Sequence, residues 1–443
     1  MGATETLWPE AVGCPRQTKV ELFLAAPRTL SQTAAGAAWL DQFGFDDRAT
    51  AASLLDAMLL LNEEQVGASI RAALDRIAEG QRHRKRRVAL YAEREFDASL
   101  IFEVQMLRDA AGRLRRRAVG YHGPPAVRPT RGRTRVGSEG FIAHLISQAS
   151  ERWTGVFMNH PGPERLRGKT APAGEIIVVT DFLGSGTRVS TMLDKFWAVP
   201  TVRSWKSRDM IRFRVIAAAA TPTAMRKVRR HRLRPEVEAE WIAPTVKSTS
   251  DYRTMLSWTR LIQTNGPEEG RGAGRFGFGG DGALIAFNYR LPNNTPAMIH
   301  HGESGWRPLY VGAAPPELRE VFGVRSLDQA VASAAQSNGV VFGRELTEEE
   351  RLTVLVLSML KGRWYKGAEV ALASRTSLPT PTVMDTLSRA LKSELITRTG
   401  RITDKGYRFM ESGRASERKT PVLETSPVPY YPETLRIPRS RLI

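Results

Sequence analysis

Residues Glu175 to Leu193 read EIIVVTDFLGSGTRVSTML, and the fold follows from this stretch. It opens on four aliphatics, Ile176 to Val179. A continuous β-branched run of that kind is a strand buried on both faces, as in a parallel sheet. Thr180-Asp181 follow, then a small-residue loop, Gly184-Ser185-Gly186-Thr187, and a helical pattern from Arg188. A glycine-rich turn entering a helix offers free backbone N–H groups at a positive dipole end, which suits a phosphate. Taken alone, Gly-Ser-Gly-Thr is equally a tight turn capped by Ser185 or Thr187. Asp181, at the strand end, would stand over the crevice where open α/β sheets bind ligands. Asp181→Asn is therefore expected to abolish activity with little loss of stability.

The whole string resembles the ribose-5-phosphate loop of type I phosphoribosyltransferases. That resemblance implies that Asp181 holds ribose hydroxyls and that Gly184, Ser185, Gly186 and Thr187 hold the 5-phosphate. Thr180 stands where the family usually carries a first acid. Gly137-Ser138-Glu139-Gly140, ahead of a helix from Phe141 to Ser150, is a second anion-binding candidate. It resembles the family's pyrophosphate loop, with Gly137 and Ser138 as its binding residues.

The remaining units fit a doubly wound sheet. Val88 to Ala92, Gly155 to Met158, Arg212 to Ala220 and Val237 to Ile242 are predicted strands. Ser31 to Gly80 has helical periodicity, with Trp39, Phe43, Leu54, Leu55, Met58 and Leu59 as core positions and Asp46 or Asp47 as an N-cap. Gly270 to Gly280 contains a formal Gly-x-Gly-x-x-Gly, but no strand precedes it and a strand rather than a helix follows, so a glycine hairpin is expected instead of a dinucleotide site. Pro292 to Pro296 reads as a turn. His300, His301 and Glu303 lie on one irregular stretch without a second cluster, so no metal site is assigned to them.

The formal charge is +19 on 443 residues. Such a balance predicts attraction to polyanions. The charge is concentrated in Gln81 to Arg87, Arg113 to Arg117, Arg128 to Arg135 and Arg226 to Arg234. The Pro/Gly-rich section holding the middle two is expected to be a mobile basic loop, and by the family resemblance Arg133 or Arg135 would cover the pyrophosphate. A single cysteine, Cys14, excludes an internal disulfide framework and a cysteine-based metal site. No signal peptide and no apolar run long enough for a bilayer is seen, so a cytoplasmic protein without a membrane partner is expected.

After a connector from Ala313 the pattern changes. Thr347 and Glu350 form a capping box opening a helix, followed by Glu369 to Ser374 and Pro379 to Ser393. A short hairpin turns at Thr399-Gly400, and a last helix begins at Asp404. This resembles a winged helix-turn-helix, in which the third helix enters the DNA groove and the wing meets phosphates. Arg389, Lys392, Arg398 and Arg401 are the candidate DNA contacts; use of the module for protein contact stays open.

The segments are thus an arm and helical subdomain (1–80), the phosphoribosyltransferase-like domain (81–312), a connector (313–345), the winged helix (346–411) and an extended tail (412–443). Together with the tail YYPETLR at Tyr430 to Arg436, these features are similar to the phosphoribosyltransferase-like proteins of bacterial conflict systems, including those encoded beside retron reverse transcriptases. The resemblance implies an antiphage effector that binds phosphoribosyl pyrophosphate or a nucleotide, with Mg²⁺ held through ligand oxygens. Its partners would be nucleic acid, and a reverse transcriptase with its noncoding RNA or DNA. A ligand-sensing regulator without turnover, and a structural subunit that wraps nucleic acid, are the alternatives.

Overall fold

The apolar runs pair as a single five-stranded sheet in this computed structural model. Its strands are β1 (Arg87–Ala92), β2 (Phe157–Asn159), β3 (Ala173–Leu183), β4 (Arg212–Ala220) and β5 (Glu236–Ile242), ordered β2-β1-β3-β4-β5. Every neighbouring pair is parallel. The structure describes residues 24–25, 30–82, 86–96, 100–126, 138–168, 172–249, 251–265, 274–302, 305–325, 331, 335, 340–342, 346–360, 368–376 and 378–413.

β3 is central, and Ile176 to Val179 are completely buried, as a run without alternation requires. Helices α1 (Glu63–Gln81) and α2 (Ser138–Arg152) pack together and against the sheet. Helix α3 (Thr187–Ala198) packs on the segment Pro200–Ser207 and on α4 (Pro222–Arg229). Phe196 of α3 meets Tyr91, Phe102 and Phe213 edge-on, with centroids 5.2–5.8 Å apart.

A second core lies beside the first. The helices Ala34–Leu40 and Phe45–Asp56, with the turn between them, bury Trp39, Phe43 and Leu54 against Trp258, Met298 and Leu318 from far along the chain. Trp39 Nε1 donates to the Met298 carbonyl at 3.0 Å. The helical expectation across Met58 and Leu59 is corrected: Leu59–Leu61 is a strand, parallel to Ile285–Phe287. The reason is two-sided burial. Leu59, Leu61, Ile285 and Phe287 face the sheet core, whereas Leu60 and Ala286 face the second core. A wall between two cores needs period-two alternation. Asp46 and Asp47 sit in the first turn of their helix, and Gly44 is its N-cap.

Two other expectations change. Arg113 to Arg117 belong to a regular hairpin, with Leu114–Val119 antiparallel to Glu103–Arg108, rather than to a mobile loop. Arg128 to Arg135 lie outside the described residues. The glycine stretch, where described, is a turn cluster and not a hairpin: Gly274, Gly277, Gly279, Gly280 and Gly282 all have positive φ. It folds onto the Pro292 turn, with Phe278 N donating to the Asn293 carbonyl at 2.7 Å.

The C-terminal module contains α5 (Glu348–Met359), α6 (Ala368–Thr376), α7 (Thr380–Lys392) and α8 (Asp404–Gly413). A single antiparallel bridge, Ile396 to Ile402, closes the wing, with Gly400 at φ +73°. Its apolar core is continuous with that of the sheet. The capping box at α5 is present: Glu350 N donates to Thr347 Oγ1 at 3.3 Å, and Thr347 N donates to Glu350 Oε2 at 3.0 Å. Thr347→Ala is expected to cost about 1 kcal/mol, read from the urea midpoint. An unchanged midpoint would show the box to be ornamental. Among the described residues, no helix is long and apolar enough to cross a membrane.

Candidate functional site

The chain leaves β1 toward β2 on one side and continues from β3 to β4 on the other. A crevice therefore opens beyond the C-terminal ends of β1 and β3, where ligands of such sheets bind. A cavity of about 390 Å³ lies there. Gly184 to Val189 form one wall, Glu93 and Glu95 another, and Phe278 with Arg290 to Asn294 the third. The loop, the glycine cluster and the Pro292 turn, separate in sequence, thus enclose one space.

Each loop residue has a physical reason. Gly186 is the N-cap of α3 with φ +71° and ψ 2°, a left-handed conformation that favours glycine. A Cβ on Gly184 would stand 2.1 Å from Asn294 Oδ1, so the turn at Asn294 seats directly on the loop. Thr221 Oγ1 donates to the Gly184 carbonyl at 2.7 Å. Ser185 Oγ and Thr187 Oγ1 are 3.1 Å apart, and Lys227 Nζ donates to Thr187 Oγ1 at 2.8 Å. A lysine beside a helix N-terminus adds positive charge to a positive dipole end, an arrangement that an anion relieves.

Asp181 does not line this cavity. Its side chain is 4% exposed, and its Oδ2 accepts from Arg290 Nη2 at 2.9 Å and from Tyr289 OH at 3.2 Å. Oδ1 accepts from Phe182 N at 2.8 Å. Burial and the Asp181 charge push the Tyr289 hydroxyl well above its ordinary value. The sequence expectation of a ligand-facing carboxylate with little structural weight is not what the geometry places here. Asp181 ties the end of β3 to the loop carrying Arg290, which does line the cavity. Asp181→Asn is expected to lower stability by about 2 kcal/mol, because Arg290 and Tyr289 lose a charged acceptor. Urea unfolding measures it; a change near zero would overturn this structural role.

The buried carboxylate that lines the cavity is Glu93, just past β1, with a 7% exposed side chain. Thr180 Oγ1 donates to its Oε2 at 3.4 Å. Arg188 Nε lies 2.9 Å from its Oε1, a charge contact without hydrogen-bond alignment. Burial pushes its carboxyl up to about 7, against the opposing pull of Arg188 and with the help of Asp181 and Glu139. Arg188 also holds Glu139 at 2.9 Å, which ties the first turn of α2, opening at Ser138, to the start of α3 after the Gly184 to Thr187 loop. Gly137, Arg133 and Arg135 lie outside the described residues.

Sequence reasoning missed Glu93, Arg188, Lys227, Arg290 and Asn294. Glu93 carried one usable signal, an acid directly after an apolar strand. Its pairing with β3 needs the strand order, which one sequence does not give. His300 Nδ1 lies 3.0 Å from Thr295 Oγ1 within the turn, and Glu303 is outside the described residues. No group of three His, Cys, Asp or Glu side chains that could hold a metal occurs among the described residues.

In the winged helix, Arg389 is held by Glu349 at 2.8 Å and Asp385 at 3.4 Å. Lys392 ends α7, and Arg398 and Arg401 are exposed around the wing turn. Thr380, Pro381 and Met384, at the start of α7, wall a cleft with β5. In a DNA-reading module that end of the third helix enters the groove. Here it faces the sheet.

The sheet order, the loop and the added C-terminal helices define a phosphoribosyltransferase-like α/β protein with a winged helix. Residues 37–311 match the family model PRTase-CE, and the chain belongs to that family. Residues 354–437 match the model described as wHTH-PRTase associated. No curated protein and no solved structure matches the chain.

Proposed function

We propose that the cavity at the end of β1 and β3 binds phosphoribosyl pyrophosphate or a nucleotide. The observation that carries this is the left-handed Gly186 at the N-terminus of α3, with Lys227 alongside, in a cavity at the sheet's switch point. The amides and hydroxyls of Gly184 to Thr187 hold the 5-phosphate. Glu93 faces the ribose hydroxyls, and Arg290 adds charge from the opposite wall. By the family resemblance, Gly137 and Ser138 with Arg133 or Arg135 hold the pyrophosphate. The reaction class is loss or transfer of pyrophosphate through an oxocarbenium-like state, to which the chain contributes positioning and electrostatics. Oxygen donors for Mg²⁺ are present in Glu93 and Glu95, and Glu93 Oε1 has no hydrogen-bond donor. The ion, held mainly by ligand phosphates, neutralises their charge.

The protein in this reading is a cytoplasmic antiphage effector of the retron type, controlled by a partner: nucleic acid, or a reverse transcriptase with its noncoding RNA or DNA. The position of α7 against β5 favours protein contact over operator reading by the winged helix. A second reading, a nucleotide sensor without turnover, is favoured by Thr180 and by the engagement of Asp181 with Arg290. Calorimetric titration of phosphoribosyl pyrophosphate with Mg²⁺, alongside an assay for released pyrophosphate, separates them. Release supports the enzyme, and binding without release supports the sensor. Absence of binding for this ligand and for nucleoside monophosphates would remove both.

A further inference from the structure

A basic cavity lies at the other pole of the sheet. It measures about 530 Å³ and is formed at the starts of β1, β3, β4 and β5. Arg86, Arg87, Lys206, Arg212, Arg214 and Arg234 line it, against the carboxylates of Glu175, Asp209 and Glu236. The basic runs at Gln81 to Arg87 and Arg226 to Arg234 both reach it, although they stand far apart in sequence.

Charge accounting leaves an excess. Arg214 is consumed by Glu175 at 2.8 Å, Glu236 at 2.9 Å and Glu238 at 2.5 Å. Arg212 has Asp209 at 3.9 Å. Arg87 gives its Nη2 to the carbonyls of Thr154 and Phe157, both at 2.8 Å, while its Nε is buried without a hydrogen-bond partner. Arg86, Lys206 and Arg234 have no carboxylate partner among the described residues. Burial and the charge of Arg165 push the Arg87 guanidinium below its ordinary value. A cation in the last turn of Pro200–Ser207 complements that helix's dipole, which accounts for Lys206. It does not account for Arg86, Arg87 and Arg234 at strand starts. Like charges held in a concave space are costly unless an anion joins them. The one aromatic lining residue, Phe213, is 2% exposed and offers no stacking surface.

We propose that this pole is a second anion site, which takes a phosphate-rich ligand through its phosphates and without base recognition. It is independent of the phosphate loop, which lies at the opposite ends of the same strands. The source of the phosphates is either a free polyphosphate, including that of a nucleotide, or a nucleic-acid backbone. Inorganic tripolyphosphate is the probe, titrated into the full chain carrying Gly186→Val, so that the loop cannot compete. One site is expected to remain. Adding Arg86→Ser with Lys206→Ser should weaken it by roughly tenfold or more, since charge-assisted contacts are lost. Gly174→Ala gives an independent check, because its Cβ would stand 2.9 Å from Arg86 Cβ and Cδ and displace that side chain. It too should weaken tripolyphosphate binding, and because Arg86 Cβ is fixed to the backbone the melting temperature should fall as well. A short oligonucleotide that displaces tripolyphosphate identifies the backbone as the source, and failure to displace it identifies the free polyphosphate. Equal affinity with and without the Arg86 and Lys206 substitutions, or no binding in the Gly186→Val chain, would overturn the proposal.

Discussion

Gly186→Val is expected to reduce affinity for ribose 5-phosphate by about a hundredfold, roughly 3 kcal/mol. The backbone at Gly186 has φ +71°, which costs an L-residue about 1–2 kcal/mol, and more for a β-branched one. Space is also short. A Cβ there would lie 3.1 Å from Val228 Cγ2 and 3.2 Å from the Ala224 carbonyl oxygen. The second neighbour is backbone of α4 and cannot rotate aside. The start of α3 must therefore move, and the amides of the loop lose their common focus. Lys227, on the same helix as Ala224, shifts with it. Stability should fall as well, by about 2 kcal/mol, so binding and melting are both measured. Ser185→Ala is the milder companion. It removes the hydroxyl that Thr187 N meets at 3.3 Å and leaves the backbone unchanged, with a loss of roughly tenfold expected. Wild-type affinity in Gly186→Val would remove the phosphate-loop assignment.

The legible part of this fold is the part written in local patterns. The run Ile176 to Val179 announces a doubly buried strand because burial on both faces abolishes alternation. The same logic locates β1 and β4, whereas β5 alternates, and the capping box at Thr347 locates α5. Leu59 to Leu61 misleads because three leucines satisfy a helical face as well as a strand. Only the presence of a core on each side decides between them, and the second core is built from residues some two hundred positions away. Arg113 to Arg117 mislead for a related reason. Charge suggests a loop, but an exposed ribbon needs no apolar period, and its pairing with Glu103–Arg108 carries the structure.

The site divides along the same line. Gly184 to Thr187 are visible because a glycine-rich turn into a helix is contiguous in sequence. Asp181 reads as a ligand residue because it ends the central strand, yet the residue that sets its direction is Arg290, more than a hundred positions on. Glu93 stays hidden because its importance comes from strand order. In the order β2-β1-β3, the ends of β1 and β3 become neighbours, and an acid at either end can face the same cavity. The position opposite Glu93 is Thr180, a neutral donor rather than a second acid. One carboxyl and one hydroxyl share a buried space without the like-charge repulsion that two acids would bring.

That arrangement sets the pH behaviour of the fold. In the unfolded chain the Glu93 carboxyl releases its proton near 4.5, whereas folded it holds the proton up to about 7. The folded state therefore binds more protons across this window, and stability falls as pH rises through it. The full contribution is about 3 kcal/mol, present below the unfolded value and gone above the folded one. Glu93→Gln cannot ionise and should lose this slope. Two other buried groups titrate nearby. Glu240 is also pushed up to about 7 by burial and slopes the same way. His160 is pushed down to about 4 by burial, with its Nε2 accepting from Ala92 N at 2.9 Å, and slopes the opposite way. Both are common to wild type and variant, so they cancel in the difference between the two. Urea unfolding at about pH 5 and about pH 8 gives that difference directly, and the wild type should lose up to about 3 kcal/mol more than the variant. Parallel slopes would mean that Glu93 stays ionised against Arg188 and takes no proton on folding. Ligand affinity supplies the functional counterpart. If Glu93 faces ribose hydroxyls, its carboxylate is the better acceptor, and wild-type affinity should rise as pH passes about 7 while that of the Glu93→Gln variant stays flat.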